Sequence, residues 1–176
     1  MNRIISIYSK LQDYAAEPVT VEELKLYLQI EGDAYDDQLA AYIKAARGLV
    51  EQATNISLTA KEVTTKARLT GAFRLPLAPV GVVGDVFRRR CPAIMDEMAE
   101  GYDYYLDGDT FYPVLIGKEW KIEYTTVAYI TDETPELKEP IIYQAAHFYT
   151  FRDDKTAAAW DSKALSIVDA YKVGNY

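Results

Sequence analysis

Few side chains in this sequence are of a type and spacing that could do chemistry. The single Cys91 follows Arg88-Arg89-Arg90 and precedes Pro92. Neighbouring guanidinium groups lower a thiol pKa and favour the nucleophilic thiolate. A cysteine nucleophile also needs a base and an orienting group, and no motif supplies either. The one histidine, His147, lies between Ala146 and Phe148 in an apolar stretch, a setting for a core or inter-helix hydrogen-bonding residue rather than a ligand or base. One histidine cannot build a multi-histidine metal site. Asp33, Asp36 and Asp37 lack the alternating ligands and the glycine of a calcium loop, and they read as charge at a helix start. Asp107 and Asp109 flank Gly108, which turn chemistry explains. Gly81-Val82-Val83-Gly84 is neither a dinucleotide fingerprint nor a phosphate loop. The expectation is a non-enzymatic chain: no catalytic residues, no cofactor and no metal.

The remaining groups suit contacts between proteins. Arg88, Arg89 and Arg90 form the only basic cluster. It reads as a solvated strand end or as a set of donors for a carboxylate on a neighbouring subunit, and less readily as a contact for a nucleic-acid phosphate. Tyrosine is abundant, 15 residues against 5 Phe. Tyr102, Tyr104, Tyr105, Tyr112, Tyr124 and Tyr129 concentrate in one β-prone region, on both faces of its strands. A small sheet cannot bury both faces within one subunit, and tyrosine is enriched at interfaces. Arg88, Arg89, Arg90, Tyr102, Tyr104, Tyr105, Tyr112 and Tyr124 are therefore the inter-subunit candidates, through edge pairing or packing of those strands.

The elements that must position these groups follow from periodicity. Residues 3–8 are β-branched and read as part of an extended N-terminal arm, 1–17. Thr20 and Glu23 form a capping-box pattern that opens a helix over about 20–30, with Gly32 as its stop. Leu39, Ile43, Ala46, Val50 and Ala53 mark one buried stripe of a second helix, 34–54, ended by Asn55. From about 60 to 130 the pattern is β. Tyr102–Tyr112 reads as a hairpin around Asp107-Gly108, and Trp120, Ile122, Tyr124 and Thr126 share one strand face. Residues 91–101 read as a short helical turn or a loop. A nearly all-round apolar helix, 140–152, holds Pro140 in its first turn. A last helix follows over 157–172, from Thr156 or the alanine run, with a tail at 173–176. The fold class expected is α+β, mainly α-helical, with an embedded antiparallel β segment over 62–130, all in one domain of 176 residues.

Composition bounds the function. A formal charge of −8 and a pI near 4.7 argue against grip on nucleic acid or anionic lipid. One cysteine excludes a disulfide-built module and suits a reducing compartment. No apolar run approaches the roughly 18–20 residues of a membrane span, and the N-terminal apolar part is too short for a signal peptide. The chain reads as cytosolic where it is made.

Three collinear stretches carry a family resemblance. Pro18 to Ile30, the acidic run Asp33 to Leu39 and Ile43 to Asn55 resemble the opening of the head–tail connector (adaptor) family of tailed bacteriophages and prophages. Phe73-Arg74-Leu75-Pro76-Leu77-Ala78-Pro79-Val80 is similar to the phrase that leads into that family's β segment. Pro140 to Tyr149 with Arg152, and then Ser166 to Lys172, resemble its closing helices. Together they span roughly 18–172. The chain departs at Asn55, where glycine is usual, at Pro140, and over 91–101, which has no counterpart. The resemblance implies a homo-oligomeric ring of the dodecamer type, bound to the portal protein in the virion neck and assembled in the bacterial host cytoplasm. Such a ring extends the DNA channel and presents a docking surface to the next neck or tail protein. Double-stranded DNA would pass through without specific binding, and no membrane is involved. At family level the C-terminal segment holds the portal, which here assigns Tyr171, Lys172, Val173, Gly174, Asn175 and Tyr176. An acidic lumen would suit DNA that must slide. The competing readings are a cytosolic helical adaptor unrelated to phage and a small enzyme using Cys91.

Overall fold

A computed structural model describes residues 1–11, 16–91, 93–129, 135–152 and 159–172. The chain divides into a β unit, 1–15 and 59–128 with 174–176, and a helical unit, 16–58 with 129–173.

In the β unit, β1 (Arg3–Leu11), β2 (Lys61–Leu69), β4 (Val80–Cys91), β5 (Ile94–Glu97) and β8 (Lys118–Thr126) form an antiparallel sheet in the order β1-β2-β8-β4-β5. A smaller sheet, β3-β7-β6, joins β3 (Phe73–Arg74), β7 (Thr110–Pro113) and β6 (Tyr104–Asp107). Burial alternates along β2 and β8, the period of a sheet with one wet face. Trp120, Ile122, Tyr124 and Thr126 share the buried face, as the sequence predicts. Trp120, Ile122 and Tyr124 pack with Val63, Ala67, Leu69, Val86 and, from the small sheet, Phe73, Tyr104 and Phe111. Strand β4 departs from alternation. Val80, Val83 and Val86 face Thr126, Tyr124 and Ile122, so three residues twice span what two span on β8. These two bulges break its hydrophobic period. Gly81 lies at the first, where a Cβ would come 3.1 Å from Thr125 Oγ1 and 3.2 Å from Val127 Cγ1.

The hairpin turn falls at Asp107-Gly108, with Gly108 at φ 54°. Asp109 does more than turn the chain. Its carboxylate accepts from Val80 N at 2.8 Å and its carbonyl from Leu75 N at 2.8 Å, which ties the Pro76–Pro79 connection to the hairpin.

The helical unit contains α1 (Val21–Leu28), α2 (Asp36–Thr54), a 3₁₀ turn (Pro135–Leu137), α3 (Lys138–Thr150) and α4 (Ser162–Tyr171). The capping box forms as read: Thr20 Oγ1 accepts from Glu23 N at 3.2 Å and Glu23 Oε2 from Thr20 N at 2.7 Å. The stop of α1 differs from expectation, for the left-handed residue is Gln29 at φ 56°, three residues before Gly32. A side chain in that conformation is strained by its Cβ. Gln29 is exposed, so Gln29→Gly should stabilise the chain by about 0.5–1 kcal/mol, read as a higher urea midpoint.

Helix α2 buries Leu39, Ile43, Ala46 and Val50 and ends at a left-handed Asn55, φ 59°. Pro140 sits in the first turn of α3, where a missing N–H is harmless. Helix α3 packs on α1, α2 and α4, the central place its all-round apolarity predicts. Buried Gln144 fastens the start of α4: its Nε2 donates to Ala159 O at 3.1 Å and its Oε1 accepts from Asp161 N at 2.9 Å. Asp161 caps α4 through the N–H groups of Lys163 and Ala164. A buried ion triad links the residue before Pro18 to α2. Arg47 Nε donates to Glu17 at 2.6 Å and Nη1 to Glu51 at 2.7 Å, while Glu51 Oε1 accepts from Leu58 N at 2.9 Å.

The expectation of a mainly helical fold is overturned. Of the described residues 34% are helical and 36% are in strands or bridges, so the class is mixed α+β with two antiparallel sheets. Two readings caused the error. Residues 3–11, taken as an arm, form a full edge strand, and residues 94–97, taken as a helical turn or loop, form the strand at the other edge. Helix boundaries also shift, to 36–54, 138–150 and 162–171. Residues 157–158, the expected opening of the last helix, and the tail 173–176 lie outside the described residues.

Candidate interaction surfaces

The arginine cluster sits at the end of β4 beside β5, and each member meets a carboxylate of its own chain. Arg88 approaches Asp103 at 3.9 Å, Arg89 meets Glu119 at 2.8 Å, and Arg90 meets Asp96 at 2.7 Å. Arg88 also lies over the Trp120 ring, 5.9 Å from its centroid. Successive residues of a strand point to opposite faces, so the three guanidiniums are dispersed. Only Arg90 is largely free to solvent, its side chain 68% exposed.

The tyrosines separate into two groups. Tyr104 and Tyr124 are core residues: Tyr104 stacks on Phe111 at 4.8 Å, and the Tyr124 hydroxyl donates to Pro76 O at 2.7 Å. Burial and the nearby Glu100 carboxylate hold the Tyr104 phenol above its ordinary pKa. Tyr102, Tyr105 and Tyr112 are 84%, 53% and 42% exposed, and Tyr105 and Tyr112 are directly opposed across the hairpin. Exposed Val114, Leu115 and Ile116 follow at once. Three tyrosines and three aliphatics thus make an open apolar surface of the kind found at protein contacts.

A second apolar surface was not singled out in the sequence. Every residue from Arg3 to Lys10 is exposed, including Ile4, Ile5, Ile7 and Tyr8. Its signal is the run of β-branched residues itself. Strand β1 is held by pairing with β2 and by Asn2, whose side chain bonds Thr70 N at 2.8 Å and Ala72 O at 2.6 Å. Among the described residues no strand pairs with its outer edge.

Of the groups assigned to portal contact, Tyr171 packs half-buried against the helical core and Lys172 is exposed beside Asp169. Val173, Gly174, Asn175 and Tyr176 lie outside the described residues. Cys91 and His147 belong to different units. His147 packs on Phe151 at 4.6 Å, and among the described residues its Nε2 has no hydrogen-bond partner, so the inter-helix hydrogen bond expected of it is not made there through that atom. Among the described residues no three metal-ligating side chains cluster.

Charge is unevenly shared. The helical unit has eight cations and sixteen anions, 8 − 16 = −8, whereas the β unit has eleven of each. The whole net charge of the chain resides in the helical unit.

The family model for head completion proteins matches residues 17–150. The chain belongs to the head completion protein family. The resemblance read from residues 18–172 is borne out, and the role is that of a structural head–tail connector. Solved structures share the fold over nearly the whole chain. A chain in the neck of an empty GTA particle, computed with C6 symmetry, superposes with a TM-score of 0.69 at 19% identity, covering 96% of this chain and 97% of that one. A chain in the virion of a native gene transfer agent (GTA) particle gives 0.70 at 18% identity, covering 100% and 97%. A third, in the neck of a native GTA particle computed with C12 symmetry, gives 0.64 at 21% identity and covers 89% of each. No curated protein matches the sequence. As a head completion protein, the chain is not the unrelated cytosolic adaptor that the sequence left open.

Proposed function

We propose that this head completion protein forms a ring of the dodecamer type in the virion neck, seated on the portal, where it prolongs the DNA channel and receives the next neck or tail protein. The observation that carries this reading is the family match joined to a sheet with two open edges and an exposed apolar hairpin. A ring subunit must offer two different surfaces to its neighbours, and the β unit has them. The role is non-enzymatic; assembly takes place in the host cytoplasm. The acid excess of the helical unit supports its facing DNA in this reading, because carboxylates repel phosphate and let the duplex slide. The C-terminal segment from Tyr171 is assigned to the portal.

Purified protein mixed with its portal should give closed rings by electron microscopy and by native mass spectrometry. A chain that stays monomeric beside assembled portal would sink the proposal.

A further inference from the structure

We infer that neighbouring copies join by a parallel strand pair, β5 of one copy against β1 of the next, in one definite register. This rests on the ring reading above. The five-stranded sheet has two open edges, and each strand runs antiparallel to the one before it. Four such steps return β5 to the same up-or-down sense as β1, with the accumulated twist of the sheet between them. Copies around a ring of many subunits differ by a rotation of only a few tens of degrees, so β1 of the next copy also runs with β5. The joint must then be parallel.

Charge, apolarity and side-chain facing select the register. Strand β1 has cations and no acid, Arg-Ile-Ile-Ser-Ile-Tyr-Ser-Lys-Leu, while β5 is Ile-Met-Asp-Glu. Ile7 and Ser9 stand level with Thr65 and Val63 of β2, on the core side of the sheet; Tyr8 and Lys10 stand level with Thr64 and Glu62, on the outer side. On β5, Asp96 is level with Arg88, which is level with Trp120 and so on the core side; Met95 and Glu97 are level with Arg89 and Phe87, on the outer side. Alternation puts Ile94 on the core side. Setting Ile94 beside Ile7 then matches every position: Met95 meets Tyr8, Asp96 meets Ser9, and Glu97 meets Lys10. Apolar groups pair with apolar, acid with base, and each pair shares a face. A shift of two residues sets Asp96 beside Ile7 in one direction and Met95 beside Lys10 in the other, and a shift of one puts paired side chains on opposite faces. Lys10 also stands level with Glu62 of its own chain across β1 and β2. Four backbone levels give a short ladder, and the exposed isoleucines of β1 add apolar contact along it.

Cysteine trapping tests the joint. In a Cys91→Ser chain assembled on portal, Tyr8→Cys with Met95→Cys should oxidise to a ladder of covalent oligomers, and either cysteine alone should not. Ser6→Cys with Met95→Cys, one two-residue step out of register, should give severalfold less product. Lys10→Glu and Glu97→Lys should each lower the ring fraction severalfold, and the double exchange should restore it. Rings without the ladder would overturn the joint and leave the ring reading intact. Absence of rings from the parent chain would overturn both.

Discussion

Replacing Trp120 by alanine is expected to cost the β unit about 3–5 kcal/mol, the largest effect of any single core change in that unit. Trp120 is fully buried on the central strand β8. Its ring meets Phe111 edge-on at 5.4 Å, and Phe111 stacks in turn on Tyr104. Trp120 therefore spans the two sheets: its removal opens a cavity where the hairpin rests on β8. Among the described residues the indole N–H has no hydrogen-bond partner, so Trp120→Phe loses volume but also removes an unsatisfied donor. It should cost roughly half as much or less. Urea unfolding followed by Tyr fluorescence, which both variants retain, measures the difference. Equal costs for Ala and Phe would show that the interlocking aromatics do not hold the sheets together.

The second large effect belongs to the helical unit. Arg47→Met should destabilise it by about 3–5 kcal/mol, because it removes the cation that bridges Glu17 and Glu51 and leaves the buried Glu51 carboxylate, and the partly buried Glu17, without a counter-charge. The side chain of Glu51 is 5% exposed. A double variant, Arg47→Met with Glu51→Gln, should recover much of the loss, since the amide oxygen can still accept from Leu58 N and one buried charge is gone. Burial opposes the charged guanidinium, but the hydrogen bonds and charges of Glu17 and Glu51 together outweigh it, and the Arg47 pKa lies above its ordinary value. A raised pKa on a cation contributes stability that is complete below the unfolded value and is lost only as pH rises through the folded one. That window lies above about 12, so the contribution of Arg47 should stay constant over the working pH range. Chemical denaturation of the three chains at two pH values, such as 7 and 9, checks both statements; a loss that vanishes at pH 9 would contradict them.

The elements legible in the sequence are those whose burial is periodic. Leu39, Ile43, Ala46 and Val50 repeat with the helix, and Trp120, Ile122 and Tyr124 with the strand, because each has one face in a core. Strand β1 buries neither face, so its isoleucines repeat with nothing and were read as an arm. Strand β4 lost its period to two bulges, and β5 is too short to have one. These strands are what turned an expected helical body into a mixed fold. The hairpin's tyrosines were placed in the right region, but which of them face inward depends on how β6 and β7 meet β8, and this no local pattern contains. The arginines show the same limit: Asp103, Glu119 and Asp96 come from three separate segments, and only the sheet register brings them to Arg88, Arg89 and Arg90.

Neither unit is one continuous stretch of chain, and this sets a timetable for synthesis. Strand β1 is made before the rest of its sheet and must wait while residues 16–58 are made before β2 arrives to pair with it. The last strand, β8, ends at Thr126, so every strand of the β unit exists before α3 has been translated. Helices α1 and α2 then wait with Leu24, Leu39, Ile43 and Val50 lacking the central α3 they pack against. A nascent chain at that stage has its strands complete and its helical core open, the state most prone to sticking to others of its kind. Translation of residues 138–171 closes it, so the helical core waits on α3 and α4 long after the strands are complete.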